Sequence, residues 1–251
     1  MYHLFSLEGK TALVTGARTG IGQAIAVALA KSGADLILLG HQNNMQETEA
    51  MVKEFGRNAQ TILMDLSKTD GLEEKAGELA SRFPIDILVN NAGIIRREPA
   101  IQHSLEDWKA VIDTNLNALF ILTQQIARPM LERRSGKIIN IASLLSFQGG
   151  INVPGYTSAK HAVTGLTKAL ANEWAAQGIQ VNAIAPGYIA TNNTEALRHD
   201  PDRSTSILSR IPAGRWGNPE DLAGAAVFLA SPASDYVNGH VLVVDGGWMA
   251  R

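Results

Sequence analysis

The chain has 251 residues, 45% of them hydrophobic and 18% charged, and its 22 basic and 24 acidic side chains leave a formal net charge of −2. So near-neutral a balance gives no electrostatic footprint for nucleic acid or an anionic membrane. The absence of Cys excludes a disulfide scaffold and fits a reducing compartment, and a chain this long buries roughly 70–75% of its unfolded surface without such a staple.

The opening Met1-Tyr2-His3-Leu4-Phe5-Ser6-Leu7-Glu8 lacks the basic and long apolar stretches of a secretory leader, so the expectation is a cytoplasmic protein. The longest uncharged run, Ile138 to Ala159, is interrupted by Asn, Gly and Pro and does not read as a membrane span. No repeat or Pro/Gly/Ser-rich linker divides the chain, which is expected to form one domain over 1–251.

Thr11-Ala12-Leu13-Val14-Thr15 reads as a buried strand. Gly16-Ala17-Arg18-Thr19-Gly20-Ile21-Gly22 follows, and Gln23 to Lys31 favours a helix. Strand, glycine turn and helix form the context in which backbone N–H groups hold a pyrophosphate. The Gly-x-x-x-Gly-x-Gly spacing departs from the usual dinucleotide fingerprint, so a structural tight turn is the competing reading.

Asp35 to Leu39 reads as a second strand, ending at Gly40-His41. That junction has neither the acid that usually holds an adenosine ribose nor the Arg that accepts a 2′-phosphate. Gln46 to Phe55 looks helical, and Thr61 to Met64 is a third strand leading to Asp65-Leu66-Ser67. Asp65 could meet an adenine or close an Asx turn or cap. A helix from Asp70 to Arg82 precedes a fourth strand, Ile85 to Val89, which runs into Asn90-Asn91-Ala92-Gly93. Arg96-Arg97 beyond it read either as solvated charges or as a pair able to hold a small anion.

Ser104 to Leu131 has helical spacing, with Asn115 set among Val111, Ile112, Leu116 and Leu119. A buried mid-helix Asn needs partners. Gly136 to Ile141 is a fifth strand followed by Ser143, and a long helix is expected from Tyr156 to about Gln177. Within it, Tyr156-Thr157-Ser158-Ala159-Lys160 puts a phenol and an ammonium one turn apart on one face. A cation about 4 Å from the phenol is worth roughly 4 kcal/mol at an effective dielectric near 20, enough to bring its pKa from about 10 down to about 7 at most. Gln180 to Ala185 is a sixth strand, ending at Pro186-Gly187. The polar stretch at about 190–217 suits a mobile lid. Pro219 to Ala230 is helical, and Val241 to Val244 is the last strand. The alternation implies an α/β fold with a parallel sheet covered on both faces. The six His show neither His-x-His nor His-Glu-x-x-His spacing, so no metal site is expected.

Together, Thr15 to Gly22, Asn90 to Gly93, Asn115, Ser143, Tyr156 to Lys160 and Pro186-Gly187 with Thr191 resemble the classical short-chain dehydrogenase/reductase family over essentially the whole chain. The resemblance implies a single-domain Rossmann-type doubly wound parallel sheet of about seven strands with helices on both faces. It also implies metal-free interconversion of alcohol and ketone with a nicotinamide nucleotide. Tyr156 would be the acid/base, Lys160 would lower its pKa and bind the nicotinamide ribose, Ser143 would donate to the substrate oxygen, and Asn115 would hold a water linking Lys160 to solvent.

By the same resemblance the nucleotide would lie on Gly16, Arg18, Thr19, Gly20, Ile21 and Gly22. Asp65 and Leu66, Asn91, Ala92 and Gly93, and Pro186, Gly187, Ile189 and Thr191 would complete its site, beside Tyr156 and Lys160. Within the family the likeness runs to members acting on deoxy and keto sugar acids, which implies NAD as cofactor, with NADP still open, and a sugar-acid substrate met by Arg96, Arg97, Gln148, Asn193 and Arg215. It further implies a homotetramer with Trp248 near an interface, core packing being that residue's other use. The same residues would also serve a reductase of another carbonyl, such as a 3-oxoacyl thioester, or a catalytically silent nucleotide sensor.

Overall fold

Each of the seven apolar runs forms a strand, and in a computed structural model of the chain all strand pairings are parallel. Residues 3–251 are described; Met1 and Tyr2, which open the stretch read for a leader, lie outside them. The strands are β1 (Thr11–Thr15), β2 (Asp35–Gly40), β3 (Ala59–Leu63), β4 (Ile87–Asn90), β5 (Gly136–Ile141), β6 (Ile179–Pro186) and β7 (Val241–Val244). Their spatial order is β3-β2-β1-β4-β5-β6-β7. Because β2 and β4 flank β1, the chain reverses its direction across the sheet between β3 and β4. A crevice therefore opens at the carboxyl ends of β1 and β4, where open α/β sheets receive ligands.

The helices are α1 (Gly20–Lys31), α2 (Gln46–Lys53), α3 (Leu72–Arg82), α4 (Leu105–Ile112), α5 (Ala118–Glu132), α6 (Pro154–Trp174), α7 (Glu195–His199), α8 (Pro201–Leu208) and α9 (Ala223–Ala230). Successive strand residues point to opposite faces, and the core divides accordingly. Val14, Val89, Ile139 and Ile184 pack with Ile25, Leu29, Ala226 and Leu229 of α1 and α9. Leu13, Leu88, Ile138 and Val181 pack with Leu122 and Ile126 of α5 and with Leu170 and Trp174 of α6. Complete burial of each Val, Leu or Ile side chain among these is worth about 1.5–3 kcal/mol, so the sheet is held from both sides.

Two stretches differ from the sequence-based expectation. The single helix expected over Ser104 to Leu131 is α4 and α5 joined by a five-residue π-helical segment, Asp113–Asn117, which contains Asn115. The polar segment at about 190–217, read as a lid and not assigned helices, carries α7 and α8. The Asp200 carboxylate caps α8 by accepting from the N–H groups of Asp202 and Arg203 at 3.1 and 3.0 Å, and Pro201 occupies its first turn, as helix starts favour.

A buried polar ladder ties the central strands to their helices. Asn90 Nδ2 donates to Thr123 Oγ1 at 2.8 Å and to Asn140 Oδ1 at 2.9 Å, and Asn140 Nδ2 donates to Thr167 Oγ1 at 2.9 Å. All four residues are buried. Asn140→Ala strands one donor on Asn90 and removes the donor to Thr167, which is expected to cost about 2–3 kcal/mol. For a chain of this size that is a fall of roughly 4–12 °C in Tm; a thermal melt within about 1 °C of wild type would show that the ladder contributes nothing net.

Candidate active site

The π-helical segment explains how a polar residue is accommodated inside the α4–α5 rod. Its widened turn directs the Asn115 amide at one residue of the β4 exit. Asn115 Oδ1 accepts from the Ile94 N–H at 2.8 Å and its Nδ2 donates to the Ile94 carbonyl at 2.8 Å. Isolated π turns of this kind are frequent at functional sites. Both polar atoms of a side chain that is 1% exposed thereby find backbone partners, and the loop that leaves β4 is fixed.

The same loop is fastened to the glycine turn. Asn91 Nδ2 donates to the carbonyls of Thr15 and Gly16 at 2.9 and 3.1 Å, while Thr15 Oγ1 accepts from the N–H groups of Asn91 and Ala92, each at 2.9 Å. Gly16 has φ +65°, a conformation natural to glycine. A Cβ on Gly22 would sit 2.3 Å from the Gly16 carbonyl oxygen and 2.4 Å from Asn91 Nδ2. The turn therefore packs onto β4 only because Gly22 lacks a side chain.

At the end of β5, Ser143 Oγ accepts from the Leu145 N–H at 3.1 Å. Ser146 Oγ donates to the Lys160 carbonyl at 2.7 Å, and Lys160 Nζ donates to the Ile141 carbonyl at 2.6 Å. These bonds draw α6 against the end of β5. Lys160 is 4% exposed, and its Nζ stands 5.5 Å from the centre of the Tyr156 ring. Burial pushes the Lys160 ammonium down to a pKa of about 8.

The Tyr156 phenol behaves differently from the sequence-based expectation. Burial raises its pKa, opposed first by hydrogen bonding to Ser143 and then by the charge of Arg97. The expected acidification by Lys160 is thus overtaken: the ammonium is bound to the Ile141 carbonyl and lies over the ring rather than at the hydroxyl, and desolvation favours the neutral phenol.

Two cavities meet at this pair. The first, about 510 Å³, is a cleft above the sheet walled by Gly16, Arg18, Thr19, Gly20, Ile21 and Gly22 on one side. Asn91, Gly93, Lys160, Ile189 and Thr191 also line it. The second, about 420 Å³, is covered by residues of α7, α8 and the turn after α8. Ser143, Tyr156, Pro186, Gly187 and Asn193 line both. A phenol and a hydroxyl therefore stand where a molecule in one cavity touches a molecule in the other.

The cleft fits an extended anionic ligand. It follows a glycine turn into the N-terminus of α1, whose N-cap Thr19 makes no side-chain capping bond, so first-turn N–H groups face the cleft. The close approach that Gly22 permits leaves backbone where a Cβ would project.

Several of the expected site residues line neither cavity. Asp65, Leu66 and Ala92 are not among the cleft-lining residues. Asp65 closes an Asx turn, accepting from Ser67 N and Oγ at 3.0 and 2.7 Å. Arg96 Nε pairs with Asp107 at 3.0 Å, and Arg215 forks onto Asp221 at 2.7 and 2.9 Å. Neither Arg lines the second cavity, because each has an acid partner outside it. Arg97, Gln148 and Asn193 do line it. Trp248 is 5% exposed, donates its indole N–H to Gln148 Oε1 at 3.1 Å and forms part of the wall of the second cavity.

Tyr188, Arg203, Arg210 and Trp248 are wall residues outside the sequence-based expectation. For Arg203 and Arg210 the signal was present: together with Ser206 and Ile207 they recur at positions i, i+3, i+4 and i+7, one face of a helix. Among the described residues no three His, Cys, Asp or Glu side chains are placed to hold a metal ion, and no helix is long and apolar enough to cross a membrane.

The family model described as enoyl-(acyl carrier protein) reductase matches residues 16–249. The 2-dehydro-3-deoxy-D-gluconate 5-dehydrogenase of Bacillus subtilis (strain 168) is 61% identical over 251 residues, covering 100% of this chain and 99% of the relative. A crystal structure from Agrobacterium tumefaciens with bound NADP is 59% identical and covers 99% of each chain at a TM-score of 0.94. The gluconate 5-dehydrogenase from Burkholderia cenocepacia J2315, in complex with NADP and tartrate, is 40% identical, covering 99% of this chain and 98% of that one at a TM-score of 0.94.

Two outcomes test the geometry. Gly22→Ala forces apart the glycine turn and Asn91 and is expected to weaken binding of a dinucleotide at least about tenfold, or 1.4 kcal/mol, by calorimetric titration. Lys160 is cationic in both folded and unfolded chains below pH 8, where its burial costs stability, and neutral in both above pH 10.5. Stability of wild type relative to Lys160→Met should therefore rise between those limits, by about 3 kcal/mol in full. Urea midpoints measured without added nucleotide across that range check it; parallel profiles for the two proteins would contradict the burial.

Proposed function

The chain belongs to the short-chain dehydrogenase/reductase family, and from that membership we propose that it is an NAD(P)-dependent oxidoreductase acting on a deoxy or keto sugar acid of the 2-dehydro-3-deoxy-D-gluconate or 2-deoxy-D-gluconate type. The observation that carries this reading is the position of Ser143 and Tyr156 on the boundary between the two cavities, with Lys160 at the cleft side. Full-length identity of 61% with a sugar-acid dehydrogenase supports the substrate class.

The nucleotide would lie along Gly16 to Gly22, Asn91 and Gly93, and Pro186 to Thr191, beside Lys160. When bound, it supplies or accepts the hydride. In reduction the neutral Tyr156 phenol gives its Oη proton to the carbonyl oxygen and is left as phenolate; in oxidation the phenolate takes that proton from the alcohol. Ser143 holds the reacting oxygen by a hydrogen bond, and Lys160 supplies positive charge beneath the phenol. Its Nζ is already fixed by the Ile141 carbonyl, so no rotamer freedom is lost when the site assembles. Asn115 acts at one remove, holding the Ile94 backbone that borders the site.

NAD is the nucleotide this reading prefers. No acid stands at Gly40-His41 to repel a 2′-phosphate, so turnover with NADP is expected as well. The reading also includes a homotetramer and a cytoplasmic setting in the breakdown of pectin-derived sugar acids.

Reduced-nucleotide absorbance followed with 2-dehydro-3-deoxy-D-gluconate and 2-deoxy-D-gluconate, each with both nucleotides, tests the assignment. Tyr156→Phe is expected to lower kcat/KM roughly 10²–10⁴-fold while NADH still binds. Wild-type turnover in that variant would remove Tyr156 from the proton transfer, and silence of wild type on both acids, with another alcohol consumed, would remove the substrate class.

A further inference from the structure

Over the whole chain acids outnumber bases, 24 to 22, yet the second cavity is lined by Arg97, Arg203 and Arg210 and by no Asp or Glu. Among the described residues none of these three arginines has a carboxylate within ion-pair distance, whereas the nearby Arg96 and Arg215 are both paired. Three cations without counter-charge around one cavity are not explained by the average composition of the surface.

Separate elements hold them there. Arg97 leaves the loop after β4, and its Nη2 donates to the Asn193 carbonyl at 3.2 Å, which steers the guanidinium toward the second cavity. Arg203 lies on α8, whose Ile207 is 5% exposed in a small core with Leu144, Ile211 and Trp248. Burial of Ile207 fixes the face that also presents Arg203. The guanidinium of Arg210 lies over the Trp248 ring, 4.0 Å from its centre, with that ring held by Gln148. Arg97 is disfavoured as a cation first by desolvation, and the charge of Arg203 adds to this. Like charges brought together in a partly desolvated cavity raise the free energy until an anion joins them.

We propose that Arg97 and Arg203, which line the second cavity and not the nucleotide cleft, together clamp the carboxylate end of the substrate. The assignment rests on the sugar-acid reading and adds the residues that recognise the acid. Guanidinium groups suit the task because their planar donor pairs match a carboxylate. Anchoring that end between α8 and the β4 loop orients the carbon chain toward Ser143 and Tyr156, and thereby sets which carbinol reacts. Arg210, flattened against Trp248, forms the adjoining wall.

The experiment compares wild type with Arg97→Gln, Arg203→Gln and Arg203→Lys on the sugar acid and on its neutral carboxamide, alongside malonate binding by calorimetry with nucleotide present. Each Gln substitution is expected to raise KM for the acid about tenfold or more, with the larger share of the loss in KM and not kcat. The preference for acid over amide should collapse in both Gln variants and return in part with Arg203→Lys. An acid/amide ratio unchanged within about twofold in both Gln variants would overturn the clamp. If wild type turns over neither sugar acid, the activity reading fails on its own, and malonate still decides the clamp. Binding by wild type that weakens about tenfold in both Gln variants supports it; equal binding by all, or none by wild type, overturns it.

Discussion

The hydrogen bond from the Lys160 ammonium to the Ile141 carbonyl, at 2.6 Å, is the constraint on which the remainder of the site depends. A nearly buried cation needs a polar partner, and the last carbonyl of β5 is the one it finds. Because Lys160 sits on α6 one turn from Tyr156, satisfying its charge also fixes the phenol. Ser143 begins just beyond Ile141, so the same contact sets the hydroxyl opposite. Three chemical groups are thereby positioned by one bond between a helix and a strand end, with Ser146 reinforcing it through the Lys160 carbonyl.

The opposing wall is built by a different means. Asn91 and Asn115 use side-chain amides as substitutes for missing backbone partners, one on Thr15 and Gly16, the other on Ile94. Loops at strand ends have no ladder to pair their N–H and C=O groups, and side-chain amides replace it, that of Asn91 by donating and that of Asn115 by both donating and accepting. The lysine side and the asparagine side are thus both held by polar atoms that already have partners. A partner molecule meets prearranged walls and does not have to organise them.

The sheet was legible because its signal is local: Val241 to Val244 and Gly136 to Ile141 are apolar runs with turn residues after them, and both strands have the expected bounds. Asn115 was legible as an anomaly, a polar residue within an apolar helical face, but the π turn that makes room for it was not, since nothing in residue type distinguishes a π turn from its α neighbours. Asp200-Pro201 carried a cap signature that marks the start of α8, obscured by the polar residues on both sides of it. Among the arginines the outcome turned on pairing. Arg215 has its acid partner six positions along, within reach of a local reading, whereas Arg96 and Arg97 are chain neighbours and only the tertiary arrangement separates the one held by Asp107 from the one facing the cavity.

The two cavities share their central partition but not their outer walls. Ser143, Tyr156 and the Pro186-Gly187 corner border both, so a change there disturbs each compartment at once. From Leu197 to Arg210 the chain touches only the second compartment. That short helical pair can therefore exchange side chains and drift toward new molecules while the machinery on the sheet is inherited unaltered.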